Sequence, residues 1–223
     1  MSHPDFSFRL ITAKDLELLW RWLGEPHVRR WWRTDLTDPI LQGIKNGVPI
    51  PEGTDACVVE VDGRPVGYIH GYWAVRAPSQ FWKAIEGVTD ATRGIDFLIG
   101  EPDWVNRKLG RVMIRAFVAR QFEDQSVDRI VAAPGRDNWP ANIVLKRVGF
   151  RDRGRIDRPG VNAMLLTLAR AVFKQYRAPE DPKDDSRTES LRAQLKAVGQ
   201  RDITHPGPVG TRALAPNSIQ DNT

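Results

Sequence analysis

Two groups of residues in this chain have the types and spacing for acid–base and anion chemistry. Asp96 stands among apolar residues in Arg93-Gly94-Ile95-Asp96-Phe97-Leu98-Ile99, a run that reads as a buried strand. A carboxylate in such a place can accept a proton or hold a cation. A few residues on, Asn106-Arg107-Lys108-Leu109-Gly110-Arg111 opens a basic helix. A strand end that leads into a helix start turns backbone N–H groups and the positive end of the helix dipole toward an anion. Together they point to a phosphate-bearing cofactor on one side and a proton-bearing substrate on the other.

Composition narrows the classes. The chain has 223 residues, a net charge of +5, 41% hydrophobic and 27% charged residues, the proportions of a soluble globular protein. That length suits one core and a tail. No apolar run approaches the roughly 20 residues of a membrane helix. The start of the chain lacks the basic and apolar pattern of a secretory signal, so a cytoplasmic location and no membrane partner are expected. Cys57 is the single cysteine, which excludes an intrachain disulfide, and without a Cys/His cluster no metal is expected. The basic excess fits nucleic acid or a nucleotide-like cofactor. Arg107, Lys108, Arg111, Arg115 and Arg120 crowd into one helix whose apolar stripe is core packing, so phosphate of a cofactor is favoured and no nucleic acid is expected.

Periodicity and turn signals predict the elements that must position these groups. A strand over 6–11 is followed by a Thr12/Asp15 capping box and a helix to Leu23, with Leu16, Leu19, Trp20 and Leu23 on one stripe and Gly24 ending it. A short helix follows Pro26, and another lies near 38–47. A hairpin joins 56–61 to 65–75 through Asp62-Gly63. Then come strand 93–99, a helix over 106–122 with Leu109, Val112, Met113, Ala116 and Phe117 inward, strand 128–133, a helix from the Asn138 cap to Arg147, and strands 150–156 and 162–169. This order is an α/β (α+β) layer. Residues 1–175 read as one domain. Residues 176–223 read as a tail, largely disordered, with a helix signal at 188–198.

Other candidates carry alternatives. Adjacent Trp31 and Trp32 cannot both enter one core from a helix, so they either cap the core edge or line an opening for a sugar or amine. His70 alternates with Tyr68 and Tyr72 on one strand face, and a packed or hydrogen-bonded histidine is expected there rather than a catalytic one. Cys57 reads as a buried, inert thiol. Residues 76–92, with Phe81, Trp82, Glu86 and Asp90, read as a substrate lid with exposed aromatics.

His27-Val28-Arg29-Arg30-Trp31-Trp32, Gly63-Arg64-Pro65-Val66-Gly67-Tyr68, Thr89-Asp90 with Arg93-Gly94-Ile95-Asp96, and Asn138 with Gly149-Phe150 carry a resemblance. From about Phe8 to Ala169 the chain resembles the GCN5-related N-acetyltransferase (GNAT) superfamily, most closely the aminoglycoside 6'-N-acetyltransferases. Tyr72-Trp73 and the stretch Ala132 to Asn138 are also similar to a branch that acetylates lysine or hydroxylysine side chains in siderophore synthesis. The resemblance implies the GNAT fold, a central mixed and mostly antiparallel sheet flanked by helices, and acetyl-coenzyme A as co-substrate. It implies that Leu98 and Ile99 meet the pantetheine arm, and that Arg107, Lys108, Leu109, Gly110 and Arg111 hold the pyrophosphate. Asn138 contacts the cofactor, and Asp96 holds or deprotonates the amine. Trp31, Trp32, Tyr72, Trp82 and Asp90 are the residues expected around the substrate. Direct attack, without an acyl-enzyme, agrees with a chain that shows no activated nucleophile.

Three positions depart from the family pattern. Lys108 stands where the pyrophosphate loop has glycine, which a negative φ in a first helical turn would allow. Leu145 replaces a tyrosine that is a candidate acid for the thiolate, and Ala133 replaces an acidic substrate residue. The expected function is acetyl transfer to a primary amine of an aminoglycoside-like amino sugar by a monomer or homodimer. The alternatives are a siderophore-type side-chain acetyltransferase and a catalytically degenerate acyl-coenzyme A-binding module.

Overall fold

Hairpin chemistry builds the middle of the sheet. Strand β2 (Asp55–Val61) turns into β3 (Arg64–Trp73) through Asp62 and Gly63, at φ 50° and 73°. These are the two left-handed residues that a tight hairpin turn requires. The computed structural model describes residues 6–32, 50–77, 80–158 and 161–175. Strand β1 (Phe6–Leu10) pairs antiparallel with β2, and β4 (Thr92–Ile99) pairs antiparallel with β3. β4 then runs parallel to β5 (Arg129–Ala132). Parallel neighbours need a crossover, and α3 (Leu109–Gln121) lies in that connection. β7 (Val161–Ala169) joins β5 to the edge strand β6 (Arg151–Arg158), completing a 7-stranded sheet in the order β1-β2-β3-β4-β5-β7-β6. The GNAT-type sheet expected from the sequence is the one observed.

Helices cover both faces. α1 (Leu16–Gly24) and α2 (Pro26–Arg29) pack over Ala56, Val58, Tyr68 and Leu98. α3 and α4 (Trp139–Val148) cover Cys57, Val59, Ile69 and Ile95 on the other face. A short helix, α5 (Arg170–Gln175), continues β7 and sets Phe173 on Phe122 at 5.5 Å between ring centroids.

Two buried stripes are rotated from the expected ones. α1 buries Leu19, Trp22 and Leu23, while Trp20 is 38% exposed. Trp22 is drawn inward because its indole N–H donates to Glu101 at 2.8 Å. α3 starts at Leu109 and buries Met113, Ile114, Phe117 and Val118, leaving Val112 at 54% exposure. Contact with α4 as well as the sheet, seen where Gly110 meets Val144, turns the stripe toward Ile114. The predicted helix near 38–47 and the tail from 176 lie outside the described residues.

Candidate active site

β4 and β5 touch only over Thr92–Gly94 and Arg129–Val131. Past Gly94 the two strands part, and the open edge of β4 becomes the centre of the site. The Gly100 N–H donates to the Val66 carbonyl at 2.9 Å, and this sets the phase of the ladder. Register pairs Tyr68 with Leu98 and His70 with Asp96. Leu98 and Asp96 therefore turn their backbone groups toward β3, and Phe97 and Ile99 turn theirs toward the gap. The amide expected at Leu98 is thus directed into the sheet; its neighbours Phe97 and Ile99 present the outward ones.

Side-chain alternation puts Asp96 on the face covered by α1 and α2. There it joins an aromatic tier. The rings of Tyr68 and His70, and of His70 and Tyr72, lie 5.4 Å apart. Trp32 meets Tyr68 edge-on at 6.2 Å and His70 at 6.4 Å. Of the tryptophan pair, Trp32 therefore borders the site, while Trp31 lies half-buried under the Arg30 guanidinium, 4.6 Å from its ring centroid. His70 is 4% exposed, and its Nε2 is 3.5 Å from Asp96 Oδ2.

α2 is tied to the strand end. His27 Nε2 lies 3.0 Å from the Ile99 carbonyl. A carbonyl can only accept, so the imidazole donates there. This bond fixes the turn that carries Trp32, whose N–H bonds back to the Val28 carbonyl at 2.8 Å. Neither the His27 anchor nor the His70–Asp96 approach has a one-dimensional signal; the second follows once β3 and β4 are aligned.

The start of α3 faces the same gap. Lys108 has φ 61° and Asn106 φ 62°, so the expected negative φ at Lys108 is not what the chain adopts. The lysine keeps the left-handed turn that glycine would take, at a cost of about 1 kcal/mol. Left-handed residues in a loop turn successive N–H groups toward one side, an anion-binding geometry. Arg111 N–H already donates to the Lys108 carbonyl at 3.2 Å. The amides of Leu109 and Gly110 head the helix, where no preceding turn supplies an acceptor. A Cβ built on Gly110 would meet nothing nearer than Val144 Cγ2 at 3.5 Å and Ile99 Cδ1 at 3.8 Å. The protein's own packing does not demand a glycine there, which fits close approach of a ligand. Asn138 caps α4, its Oδ1 accepting from Ala141 N–H at 3.2 Å.

Two candidates move to other roles. Trp82 is 3% exposed, and its indole N–H donates to the Tyr72 hydroxyl at 3.2 Å. It props Tyr72 from beneath instead of forming an exposed lid, because the Gln80–Ala84 turn packs it into an apolar cluster with Ala133 and Leu165. Asp90 sits in the turn before β4, at the paired end of the strand and away from the gap. Arg93, in the same motif as Asp96, is structural: its Nη2 donates to Gly53 and Gly71 carbonyls at 2.9 and 3.0 Å. Burial pushes the Cys57 thiol up to about 11, far from a nucleophile's range. Among the described residues no group of three or more His, Cys, Asp or Glu could hold a metal, and no helix is long and apolar enough to cross a membrane.

This gap between β4 and β5, with a helix N-terminus beneath it, defines a class. A family model for the acetyltransferase (GNAT) domain matches residues 12–158, and the chain belongs to that family. It is 27% identical over 181 residues to aminoglycoside N(6')-acetyltransferase type 1 of Klebsiella pneumoniae, covering 79% of this chain and 89% of that one. It is 24% identical over 169 residues to the N-hydroxyputrescine acetyltransferase of Acinetobacter baumannii, covering 74% and 78%. Among solved structures, aminoglycoside acetyltransferase AAC(6')-Ib in complex with coenzyme A and kanamycin superposes with a TM-score of 0.68 at 27% identity, over 78% of this chain and 99% of that one.

Proposed function

We propose that the chain is an acetyl-coenzyme A-dependent N-acetyltransferase acting on a primary amine of an aminoglycoside-type amino sugar. The observation that carries this is the position of Asp96, beside the open edge of β4 where Phe97 and Ile99 turn their amides into the gap. Similarity to enzymes named for that reaction, one with coenzyme A and kanamycin bound, supports it.

Acetyl-coenzyme A supplies an activated acyl thioester, and the chain's residues do the rest. The outward groups of Phe97 and the Ile99 N–H align the pantetheine amides as a strand would. Leu109 and Gly110 N–H groups, with Arg107, Lys108 and Arg111, receive the pyrophosphate. Asn138, held as a helix cap, contacts the cofactor from the facing helix. Asp96 holds the substrate ammonium, and the rings of Trp32 and Tyr72 form the wall against which the sugar lies. Attack is direct, and the proton on the nitrogen passes to the departing thiolate or to water, since Leu145 offers no acid.

A linear amine is the second reading. Ala133, where an acidic residue was expected, is 3% exposed and offers no charge to a polycation. An extended monocation needs one carboxylate, and Asp96 is that group. Thiol release from acetyl-coenzyme A, measured with kanamycin and with N-hydroxyputrescine, which carries a single ammonium, separates the two. Turnover with kanamycin at the higher kcat/KM supports the first reading, and preference for the linear amine supports the second. No release with any amine overturns both.

A further inference from the structure

We propose that His70 is the positioning partner of Asp96 and the terminal acceptor of the proton that the substrate ammonium must lose. This rests on the proposed acetyl transfer and adds a residue that the sequence indicated only as packing.

The geometry is specific. His70 and Asp96 are register partners on β3 and β4, on one face. Nε2 and Oδ2 are 3.5 Å apart, at ion-pair range and longer than a formed hydrogen bond. Such contacts tighten when substrate binds. The imidazole is wedged between Tyr68 and Tyr72 and met by Trp32 from the turn after α2, so its ring cannot swing away from the carboxylate. The titratable groups that face it include Asp96 from β4 and the Tyr68 and Tyr72 phenols on its own strand. β2 contributes Ala56 opposite it and the turn after α2 the Trp32 ring, neither of which titrates.

A lone carboxylate is a poor final acceptor. Its ordinary pKa of about 4 lies several units below that of an alkylammonium. The ordinary pKa of an imidazole, about 6.5, lies much closer to it. The step balances as follows. With the neutral imidazole protonated on Nδ1, the R–NH3+ held by Asp96 gives one proton through the carboxylate to His70 Nε2, leaving R–NH2, an ionised Asp96 and an imidazolium. The amine lone pair forms the C–N bond as the C–S bond breaks. The second nitrogen proton goes to the thiolate, and the imidazolium returns its proton to water.

The test is the pH profile of thiol release with kanamycin for wild type and His70→Gln. Glutamine can offer Asp96 an N–H, as the imidazolium does, but cannot take a proton. The proposal predicts that kcat/KM of His70→Gln falls at least about tenfold at pH 6.5, within the range one acid–base group contributes. At pH 9.5, where much of the amine is already neutral, the two enzymes converge, and acetyl-coenzyme A affinity by calorimetry is unchanged. A uniform loss at every pH, or no loss, overturns the role of His70 while leaving acetyl transfer intact. Absence of release by the wild type with kanamycin and with the linear amine overturns the function and this assignment together. Should His70→Gln not fold, the wild-type imidazole is followed by NMR in a comparison with Asp96→Asn. Loss of the carboxylate lowers the His70 titration midpoint if the two groups are coupled, and an unmoved midpoint overturns the proposal.

Discussion

Arg93 Nη2 lies 3.1 Å from Asp55 Oδ2, an ion pair that spans β3 to join β4 to the start of β2. The arginine is 7% exposed in its side chain. Its ring neighbour is Trp73, 5.1 Å from the guanidinium carbon, and Gln121 of α3 donates to the same carboxylate at 3.0 Å. Burial pulls the guanidinium pKa down, and the Asp55 charge opposes that shift. Removing Asp55 would strand a buried cation, so Asp55→Ala should destabilise the fold by about 3 kcal/mol. Urea unfolding checks this, and an unchanged midpoint would show the pair to be idle.

Lys108 supplies a second test, through its left-handed backbone. Lys108→Gly should raise stability by about 1 kcal/mol, because glycine takes φ 61° without strain. The same variant loses one cation at the helix head, so its acetyl-coenzyme A affinity should weaken severalfold and do so most at low salt. Urea unfolding and calorimetry at two ionic strengths read the two effects separately.

Gly94 lies beneath the Tyr72 ring, where an added Cβ would come within 2.5 Å of Tyr72 Cζ. Tyr72 cannot yield freely, since its hydroxyl accepts from Trp82. Gly94→Ala should therefore cost about 1–3 kcal/mol and raise KM for the amine more than KM for acetyl-coenzyme A. Initial-rate kinetics with each substrate varied in turn distinguish this from a general loss of fold.

Stability should fall in acid through Asp15. Its carboxyl is lowered to about 2, first by the hydrogen bonds from Arg9 and then by those from Thr12, against the opposing effect of burial. A group depressed in the folded state stabilises above its unfolded value and loses that contribution as pH drops toward the folded one. The Tm difference between wild type and Asp15→Asn should stay level from pH 8 to about 5, shrink below about 4 and be mostly lost by about pH 2, its folded-state pKa.

The sheet was legible because its signals are local. Asp62-Gly63 turns a hairpin, Thr12 and Asp15 open a helix, and Asn138 and Gly149 bracket α4. Asp96 could be singled out because a charge in an apolar strand is rare. The rest depends on what crosses between elements. Trp82 looked like an exposed lid residue until the Gln80–Ala84 turn folded it under Tyr72. His70 looked like packing until its register partner was known. The helix phases of α1 and α3 were set by Glu101 and by α4, neither of which a single-helix pattern contains. Lys108 shows the converse: the left-handed turn persists although the residue that usually marks it has gone.

The central claim is that Asp96 handles the reacting amine at the open edge of β4. The direct measurement is kcat for thiol release with kanamycin and saturating acetyl-coenzyme A, comparing wild type with Asp96→Asn. A loss of at least about a hundredfold, with unchanged acetyl-coenzyme A affinity and an unchanged unfolding midpoint, is the predicted result. Undiminished turnover by Asp96→Asn would contradict it.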